Sequence, residues 1–213
     1  MKLSSQQLRL YAVTDSSWLR GRSLAEVVRQ AIEGGATIVQ YREKKKSPAQ
    51  MLSEAALVRA VCKECGVPFI VNDSVELAQA VQADGVHLGL EDGSLERARQ
   101  ILGDGKIIGA SAHNPQEAIA AQAQGADYLG CGAVFGSATK ANVQAISPEI
   151  LREVTQAVGI PVVAIGGITR QNIPMLRGCA LAGVAVVSAI FAQPDIAAAS
   201  RELLALAEDI ANS

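Results

Sequence analysis

Short β-type runs alternate with amphipathic helical patterns along this whole sequence, and few folds accommodate such a pattern. The strand-like runs are Leu8–Asp15, Thr37–Glu43, Pro68–Asp73, Gly85–Leu90, Lys106–Ser111, Asp127–Phe135, Pro161–Gly167 and Gly183–Ile190. The helical patterns are Ser23–Glu33, Pro48–Cys65, Ser74–Gln82, Ser94–Leu102, Asn114–Gln124, Ser147–Val158, Thr169–Arg177 and Asp195–Ala211. Apolar residues in the helical patterns recur at i, i+3 and i+4. Strict alternation predicts a parallel sheet, and eight units in 213 residues favour an α/β fold of the (β/α)₈ TIM-barrel class.

An open, doubly wound parallel sheet is the alternative architecture. Such a sheet usually carries a glycine-rich turn after its first strand. The first turn here, Thr14-Asp15-Ser16-Ser17, contains no glycine. No Pro/Gly/Ser-rich linker or change in composition divides the chain, so we expect a single TIM-barrel domain over residues 1–213. In such barrels the chemistry lies at the carboxyl ends of the strands.

Composition excludes several classes of partner. The net charge is −2 and aromatic residues make up 3% of the chain, which argues against nucleic-acid binding. The longest uncharged apolar run, Gly178–Ala192, is short and rich in Ala and Gly, so no membrane partner is expected. The segment Met1–Leu10 lacks the apolar core of a signal peptide, which predicts a cytoplasmic location.

Four cysteines are too few and too scattered to form a disulfide framework. Cys62 and Cys65 have C-x-x-C spacing, which could indicate redox chemistry or half of a zinc site. No second such pair exists, and His87 and His113 do not have the spacing that would complete a zinc site. We therefore expect two small residues on one face of a helix.

The second strand ends in cationic side chains. Because side chains alternate along a strand, Gln40, Arg42 and Lys44 share one face. If Val39 packs beneath the helices, this face points into the barrel, and two cations at a concave mouth favour an anionic ligand. Alternatively, Lys44 to Lys46 form a solvated loop and Arg42 makes a structural ion pair.

Carboxylates follow the third and fourth strands. Asn72 and Asp73 end one apolar run, and Asp92 follows the next, so both carboxylates emerge at the same rim. Two carboxylates beside a polyanion site suit Mg²⁺ that is also held by water and phosphate. The alternative is helix capping, since each aspartate precedes a helical pattern.

Ser111 and His113 share one face of the fifth strand. The sequence places no obvious carboxylate to orient His113, so a Ser–His nucleophile is disfavoured. The segment Gly132–Lys140 carries hydroxyl groups and a cation, and it is suited to closing over an anionic ligand.

The seventh strand ends in Gly166-Gly167 and the eighth in Val187-Ser188, ahead of a short apolar stretch. These loops form the usual phosphate site of the barrel class. The mouth therefore has two predicted anion sites, one for a metal-bound pyrophosphate and one for a monophosphate. This arrangement suggests displacement of pyrophosphate from carbon by ionisation, without a protein nucleophile.

Several motifs together resemble the thiamin phosphate synthase family over nearly the whole chain. The motifs are Tyr11–Asp15, Val39–Lys44, Ile70–Asp73, Gly85–Gly89, Gly109–His113, Gly132–Lys140 and Ala164–Ile168. The resemblance implies a TIM barrel that joins 4-amino-2-methyl-5-hydroxymethylpyrimidine diphosphate to a thiazole phosphate, the 4-methyl-5-(2-phosphoethyl) compound or its carboxylated form. It implies release of pyrophosphate through a pyrimidine-methyl cation, with thiamin monophosphate as the product.

The resemblance also assigns roles to residues of this chain. It implies that Gln40, Arg42, Lys44, Asn72 and Lys140 bind the pyrimidine diphosphate, with Arg42, Lys44, Ser111 and Lys140 acting in catalysis. It implies that Asp73 and Asp92 bind Mg²⁺ and that Ser111 contacts the pyrimidine. Ser137 and Thr139 correspond to thiazole contacts, and Gly167, Val187 and Ser188 to the cradle of the thiazole phosphate.

The chain departs from the family pattern at Leu90, where the family usually has Gln, and at Ser137, where many members have Thr. Two alternatives are a thiazole tautomerase-like barrel, which uses His without metal, and a non-catalytic barrel that binds thiamin precursors. The aspartate pair, Lys44 and Lys140 favour the synthase. Oligomeric state and the preferred form of the thiazole cannot be predicted from these features.

Overall fold

The sheet is a closed barrel of eight parallel strands in a computed structural model that describes residues 3–136 and 145–213. Each strand pairs with the next along the chain, and β8 pairs with β1, so that Leu10 lies opposite Val184. The strands are β1 (Leu10–Val13), β2 (Ile38–Tyr41), β3 (Phe69–Asn72), β4 (Gly85–Leu88), β5 (Ile107–Ala112), β6 (Tyr128–Gly132), β7 (Val162–Ile165) and β8 (Gly183–Val186). The predicted TIM barrel is confirmed over the open sheet, which would leave two strand edges unpaired.

Helices follow the strands. They are α1 (Leu24–Glu33), α2 (Pro48–Cys65), α3 (Val75–Ala80), α4 (Leu95–Leu102), α5 (Pro115–Ala123), α6 (Pro148–Ala157), α7 (Ser188–Phe191) and α8 (Ile196–Ala211). All but α7 begin at a Ser, Asn or Asp whose side chain accepts a backbone N–H of the first turn. Ser47 and Ser147 accept the N–H groups of Gln50 and Ile150, and each is followed by a proline. A proline at the first helical position loses no hydrogen bond, which explains why these pairs start helices.

The predicted helix Thr169–Arg177 is wrong in type, because only a four-residue 3₁₀ turn, Ile173–Leu176, forms there. Pro174 has no N–H group to donate inside a helix. The Asn172 side chain ties the preceding loop, accepting from the N–H of Thr169 and donating to the carbonyl of Gly167. The eighth strand is also shorter than predicted, since α7 begins at Ser188.

The core has two parts that follow the alternation of side chains along the strands. Leu10, Val39 and Val86 face outward and are buried beneath the helices. A second cluster fills the barrel interior, and at its centre are the buried side chains of Ile38, Ile70, Ile107 and Val163. These four residues are called the barrel floor below. Because Ile38 precedes Gln40 by two residues, Gln40 lies on the same face, one layer nearer the mouth.

The four cysteines are free thiols. Cys62 is buried and Cys65 half-buried, three residues apart in α2, as predicted for two small residues on one helix face. Within residues 3–136 and 145–213, no helix is long and apolar enough to cross a membrane.

Candidate active site

A cavity at the carboxyl ends of the strands is lined by residues of all eight, with β6 contributing only the backbone of Gly130 and Gly132. Its lining includes Tyr11, Val13, Gln40, Arg42, Asn72, Asp73, His87, Gly89, Ser111, His113, Gly130, Gly132, Ala133, the segment Ile165–Ile168, Val187 and Ser188. Most of the predicted site residues therefore come together at one mouth. The predicted residues Ser137, Thr139 and Lys140 lie outside the described residues.

Arg42 brings a positive charge to this mouth. Its backbone is held just beyond β2, where its N–H donates to Thr14 Oγ1 over 2.9 Å and its carbonyl accepts from the same hydroxyl over 3.2 Å. The carboxylates of the described residues make no ion pair with its guanidinium, so the structural ion pair considered above is not formed. A guanidinium that lines a cavity in this way is suited to bind an anion in bidentate fashion.

The three lysines after β2, Lys44 to Lys46, have different partners, and the carboxylate of Glu43 holds the backbone between them. Glu43 is buried, and its Oε1 accepts the N–H groups of Lys44 and Lys45, each over 2.7 Å. Burial acts to raise the pKa of Glu43, but hydrogen bonds from these N–H groups lower it overall. Lys46 pairs with Glu54 at 2.5 Å, whereas Lys44 forms an ion pair with Asp73 at the rim. Lys44 is therefore the lysine of this turn that pairs with the rim carboxylate Asp73.

Asp73 and Asp92 do not cap helices. Ser74 and Ser94 cap α3 and α4 by accepting the N–H groups of Leu77 and Arg97. The capping alternative is therefore wrong, and another reason is needed for these carboxylates. Asp73 has a φ of +65°, a left-handed conformation that is uncommon for a residue with a side chain.

Asp92 lies close to Asp73 and folds back on its own turn. Its Oδ2 accepts the N–H of Gly89 over 2.8 Å, and a Cβ at Gly89 would come within 2.7 Å of that oxygen. Burial and the neighbouring Asp73 raise the pKa of Asp92. The side chain of Leu90 is 58% exposed, so the departure from Gln at this position leaves the Gly89–Asp92 contact in place.

The oxygen donors at this corner fit a hard divalent cation. The described residues contain no group of three or more His, Cys, Asp or Glu side chains arranged to hold a metal ion. Mg²⁺ does not require one, because it commonly binds one or two carboxylates and takes its remaining ligands from water and phosphate. Asp73 and Asp92 are close enough that Asp73 contributes to raising the pKa of Asp92, and two such neighbouring carboxylates are a suitable donor set for this cation.

His113 has a carboxylate partner that the sequence analysis missed. Its Nδ1 lies 2.9 Å from Oε2 of Glu117, which also accepts the N–H of His113 over 2.8 Å. Burial acts to raise the pKa of Glu117, but these contacts lower it overall. The H-x-x-x-E spacing across the junction of β5 and α5 could have revealed the pair.

The pairing of Ser111 nevertheless differs from that of a triad. Its Oγ lies 3.2 Å from Nε2 of His87, a buried residue of β4. The side-chain bond of His113, by contrast, goes to Glu117. Among the described residues, Ser111 and the His113–Glu117 pair therefore belong to separate hydrogen-bonded pairs.

Two glycines shape the opposite side of the mouth. Gly166 and Gly167 have φ values of +99° and +62°. A Cβ on Gly167 would lie 2.5 Å from the carbonyl oxygen of Phe135, and one on Gly166 would lie 2.5 Å from Cα of Ala133. Val187 and Ser188 line the adjoining wall at the start of α7. The absence of side chains lets the backbone after β6 pack directly against this loop, which lines the cavity.

Comparison with known proteins shows which proteins this chain is similar to. A family model described as thiamine monophosphate synthase matches residues 10–190. The chain is 49% identical over 199 residues to a thiamine-phosphate synthase of Chloroflexus aurantiacus, covering 93% of this chain and 92% of that one. It is 47% identical to a thiamine-phosphate synthase of Clostridium novyi, with 92% and 96% covered. A solved thiamine phosphate pyrophosphorylase from Pyrococcus furiosus superposes with a TM-score of 0.89 at 39% identity, covering 97% of this chain and 98% of that chain.

Proposed function

The chain belongs to the thiamine monophosphate synthase family and catalyses thiamine-phosphate synthesis, and we propose that its cavity joins two phosphorylated precursors. The proposed substrates are 4-amino-2-methyl-5-hydroxymethylpyrimidine diphosphate and 4-methyl-5-(2-phosphoethyl)thiazole or its carboxylated form. The observation that supports them is one mouth that brings together cationic side chains and a glycine pair. Arg42 and Lys44 lie on one side, and Gly167 on the other.

Each side of the mouth has a proposed ligand set. For the pyrimidine diphosphate, the proposed ligands are Gln40, Arg42, Lys44, Asn72 and Lys140, with Ser111 at the pyrimidine ring. For the thiazole, they are Ser137 and Thr139, and for its phosphate Gly167, Val187 and Ser188. Asp73 and Asp92 are the proposed metal ligands.

The proposed reaction begins with departure of pyrophosphate. The bond between the pyrimidine methylene carbon and the diphosphate oxygen breaks, and the electron pair leaves with pyrophosphate. The thiazole nitrogen then donates its lone pair to the methylene cation and forms the new C–N bond. Arg42 and Lys44 stabilise the negative charge that develops on the leaving group, which is where fixed cations lower a barrier most.

Asp73 and Asp92 would hold Mg²⁺ together with diphosphate oxygens and water. When bound there, Mg²⁺ supplies neutralisation of charge on the departing pyrophosphate. Lys44 already contacts Asp73, so the cationic and anionic ligands of this side are adjacent before any substrate arrives.

A direct assay tests the proposed function. Incubation of the chain with both precursors and Mg²⁺ should yield thiamin monophosphate and pyrophosphate in equal amounts. Omission of either precursor should abolish both products. A barrel that only binds precursors would form neither product, and a thiazole tautomerase would change the thiazole without consuming the diphosphate.

His113 is expected to be dispensable for the coupling step. The proposed mechanism needs no deprotonated protein nucleophile, although the contact between His113 and Glu117 is compatible with proton transfer. His113→Ala should therefore keep its rate of thiamin phosphate formation within about threefold of the parent, since general base catalysis is worth about 100-fold or more where it operates. Loss of product with unchanged substrate affinity would place proton transfer in the mechanism.

Lys140 is expected to be important for turnover. It is the cation of the loop that the sequence places at the mouth. Lys140→Ala should lower kcat by about 100-fold if the ammonium group stabilises charge on pyrophosphate. The thermal midpoint of unfolding serves as a control and should not change. Unchanged turnover would remove Lys140 from the proposed site.

We further propose that the protein acts as one domain in the cytoplasm. The three cysteines Cys62, Cys131 and Cys179 are buried free thiols. Free thiols are typical of a reducing compartment.

A further inference from the structure

Five polar side chains form a continuous hydrogen-bonded line through the barrel, from Gln40 on β2 to Ser111 on β5. Gln40 Nε2 lies 3.0 Å from the hydroxyl of Tyr11, and the hydroxyls of Tyr11 and Tyr128 are 2.8 Å apart. The Tyr128 hydroxyl is 3.0 Å from His87 Nδ1, and His87 Nε2 is 3.2 Å from Ser111 Oγ. This line is called the polar chain below. Both of its ends are proposed substrate ligands, but its three middle residues have no role in the proposed mechanism.

The polar chain is shielded from solvent over most of its length. Tyr128 is 0% exposed and Tyr11 is 1% exposed, and both pack with the barrel floor. Burial raises the pKa of Tyr11 and of Tyr128 well above the ordinary value, so each keeps its proton. Hydrogen bonds in such an apolar setting are stronger, and a mismatch within them is costlier, than in water.

Two glycines provide the space that the polar chain occupies. A Cβ on Gly109 would lie 2.2 Å from the Tyr128 ring. A Cβ on Gly130 would lie 3.1 Å from the His87 ring. The barrel interior is therefore shaped around these two rings, which supports a specific role for them.

The direction of the hydrogen bonds follows from the number of protons. An amide nitrogen only donates, so Gln40 Nε2 donates to Tyr11. The Tyr11 proton is buried and needs an acceptor, and the arrangement that gives it one has Tyr11 donate to Tyr128. The Tyr128 proton then points to His87 Nδ1, which must be the unprotonated nitrogen of a neutral ring. His87 Nε2–H consequently donates to Ser111 Oγ, and the Ser111 proton is left for the cavity.

We propose that Tyr11, Tyr128 and His87 are positioning residues that orient Gln40 as an acceptor and Ser111 as a donor toward the pyrimidine ring. The proposal rests on the proposed function. A 4-aminopyrimidine offers a donor at its amino group and an acceptor at its ring nitrogens, which complements this pair. A 4-oxopyrimidine presents an acceptor at C4 and a donor at the adjacent ring nitrogen. The polar chain thus selects the amino form of the diphosphate over the oxo form.

Selectivity is the property that tests this role. The KM for the aminopyrimidine diphosphate and the competitive Ki of its 4-oxo analogue are measured in the parent, Tyr128→Phe and Tyr11→Phe. Tyr128→Phe should reduce the ratio of Ki to KM by about 10-fold or more, because Ser111 can then turn its proton toward His87. Tyr41→Phe is the matched control: Tyr41 is also buried, but its hydroxyl bonds to Glu54 outside the barrel, and the ratio should not change.

The tautomer of His87 provides a test on the parent protein, with a variant needed only to assign the signals. The chain has two histidines, so the ¹⁵N signals of both imidazoles can be assigned with His113→Ala. The parent should show His87 with a protonated Nε2 and an unprotonated Nδ1. Observation of the opposite tautomer, or an unchanged selectivity ratio in folded Tyr128→Phe and Tyr11→Phe, would overturn the proposal. If the parent makes no thiamin phosphate, the proposed function fails instead, and the two failures are distinguishable.

Discussion

The double variant Asp73→Asn/Asp92→Asn is expected to fold but to form almost no thiamin phosphate at any Mg²⁺ concentration. Both carboxylates lie at one rim beside Lys44, and neither caps a helix. Their removal would take away the proposed charged oxygen ligands of the metal, whose stabilisation of charge is worth several kcal/mol in the transition state. We expect turnover to fall by about 100- to 1,000-fold on that basis. Each single variant should retain activity but require more Mg²⁺.

Asp195→Asn is the matched control for this experiment. Asp195 caps α8 by accepting the N–H of Ala198 over 2.8 Å, and asparagine is an equally good cap. The variant should therefore show the parent's dependence on Mg²⁺ in a titration of initial rate. If the curves of Asp73→Asn and Asp92→Asn also coincide with that of the parent, the proposed metal site is wrong.

Gly167→Ala should damage binding of the thiazole phosphate selectively. The added methyl group would meet the carbonyl oxygens of Phe135 and Gly136 at 2.5 and 2.7 Å, and the φ of +62° disfavours alanine. Backbone atoms cannot rotate away as a side chain can, so the loop must move and open the phosphate cradle. We expect KM for the thiazole phosphate to rise by about 30-fold or more, the equivalent of about one charge-assisted hydrogen bond.

Gly66→Ala separates the effect of the clash from that of the backbone conformation. Gly66 has a similar φ of +70° at the end of α2, but a Cβ there would meet no atom within 4 Å. It should lower the free energy of unfolding by about 1 kcal/mol and leave both KM values unchanged. Equal KM values for the thiazole phosphate in Gly167→Ala and the parent would exclude Gly167 from the cradle.

The fold could be predicted from the sequence because its determinants are local. Alternation of side chains placed Val39 outside and Gln40 inside the barrel, and serine–proline pairs marked the starts of two helices. The segment around Pro174 was mispredicted because its apolar spacing suits a helix, while the proline and the bonds of Asn172 determine the backbone.

The site was only partly predictable for a related reason. The rim residues could be located by counting strands, and the structure places Arg42, Asp73 and Ser111 at one cavity. The contact between Tyr11 and Tyr128 joins residues 117 positions apart and exists only after the barrel closes. The roles of Ser74 and Ser94 as caps also required coordinates, since an aspartate stands one or two residues before each of them.

The barrel floor has a consequence for the order in which substrates bind and products leave. Ile38, Ile70, Ile107 and Val163 are buried inside the barrel, and the cavity lies at the carboxyl ends of the strands. The proposed substrates and products would then all pass through this end of the barrel. If one substrate lies deeper than the other, it has to enter first and leave last. A cavity of this kind imposes a sequence on binding and release, and an excess of the outer substrate should delay the inner one.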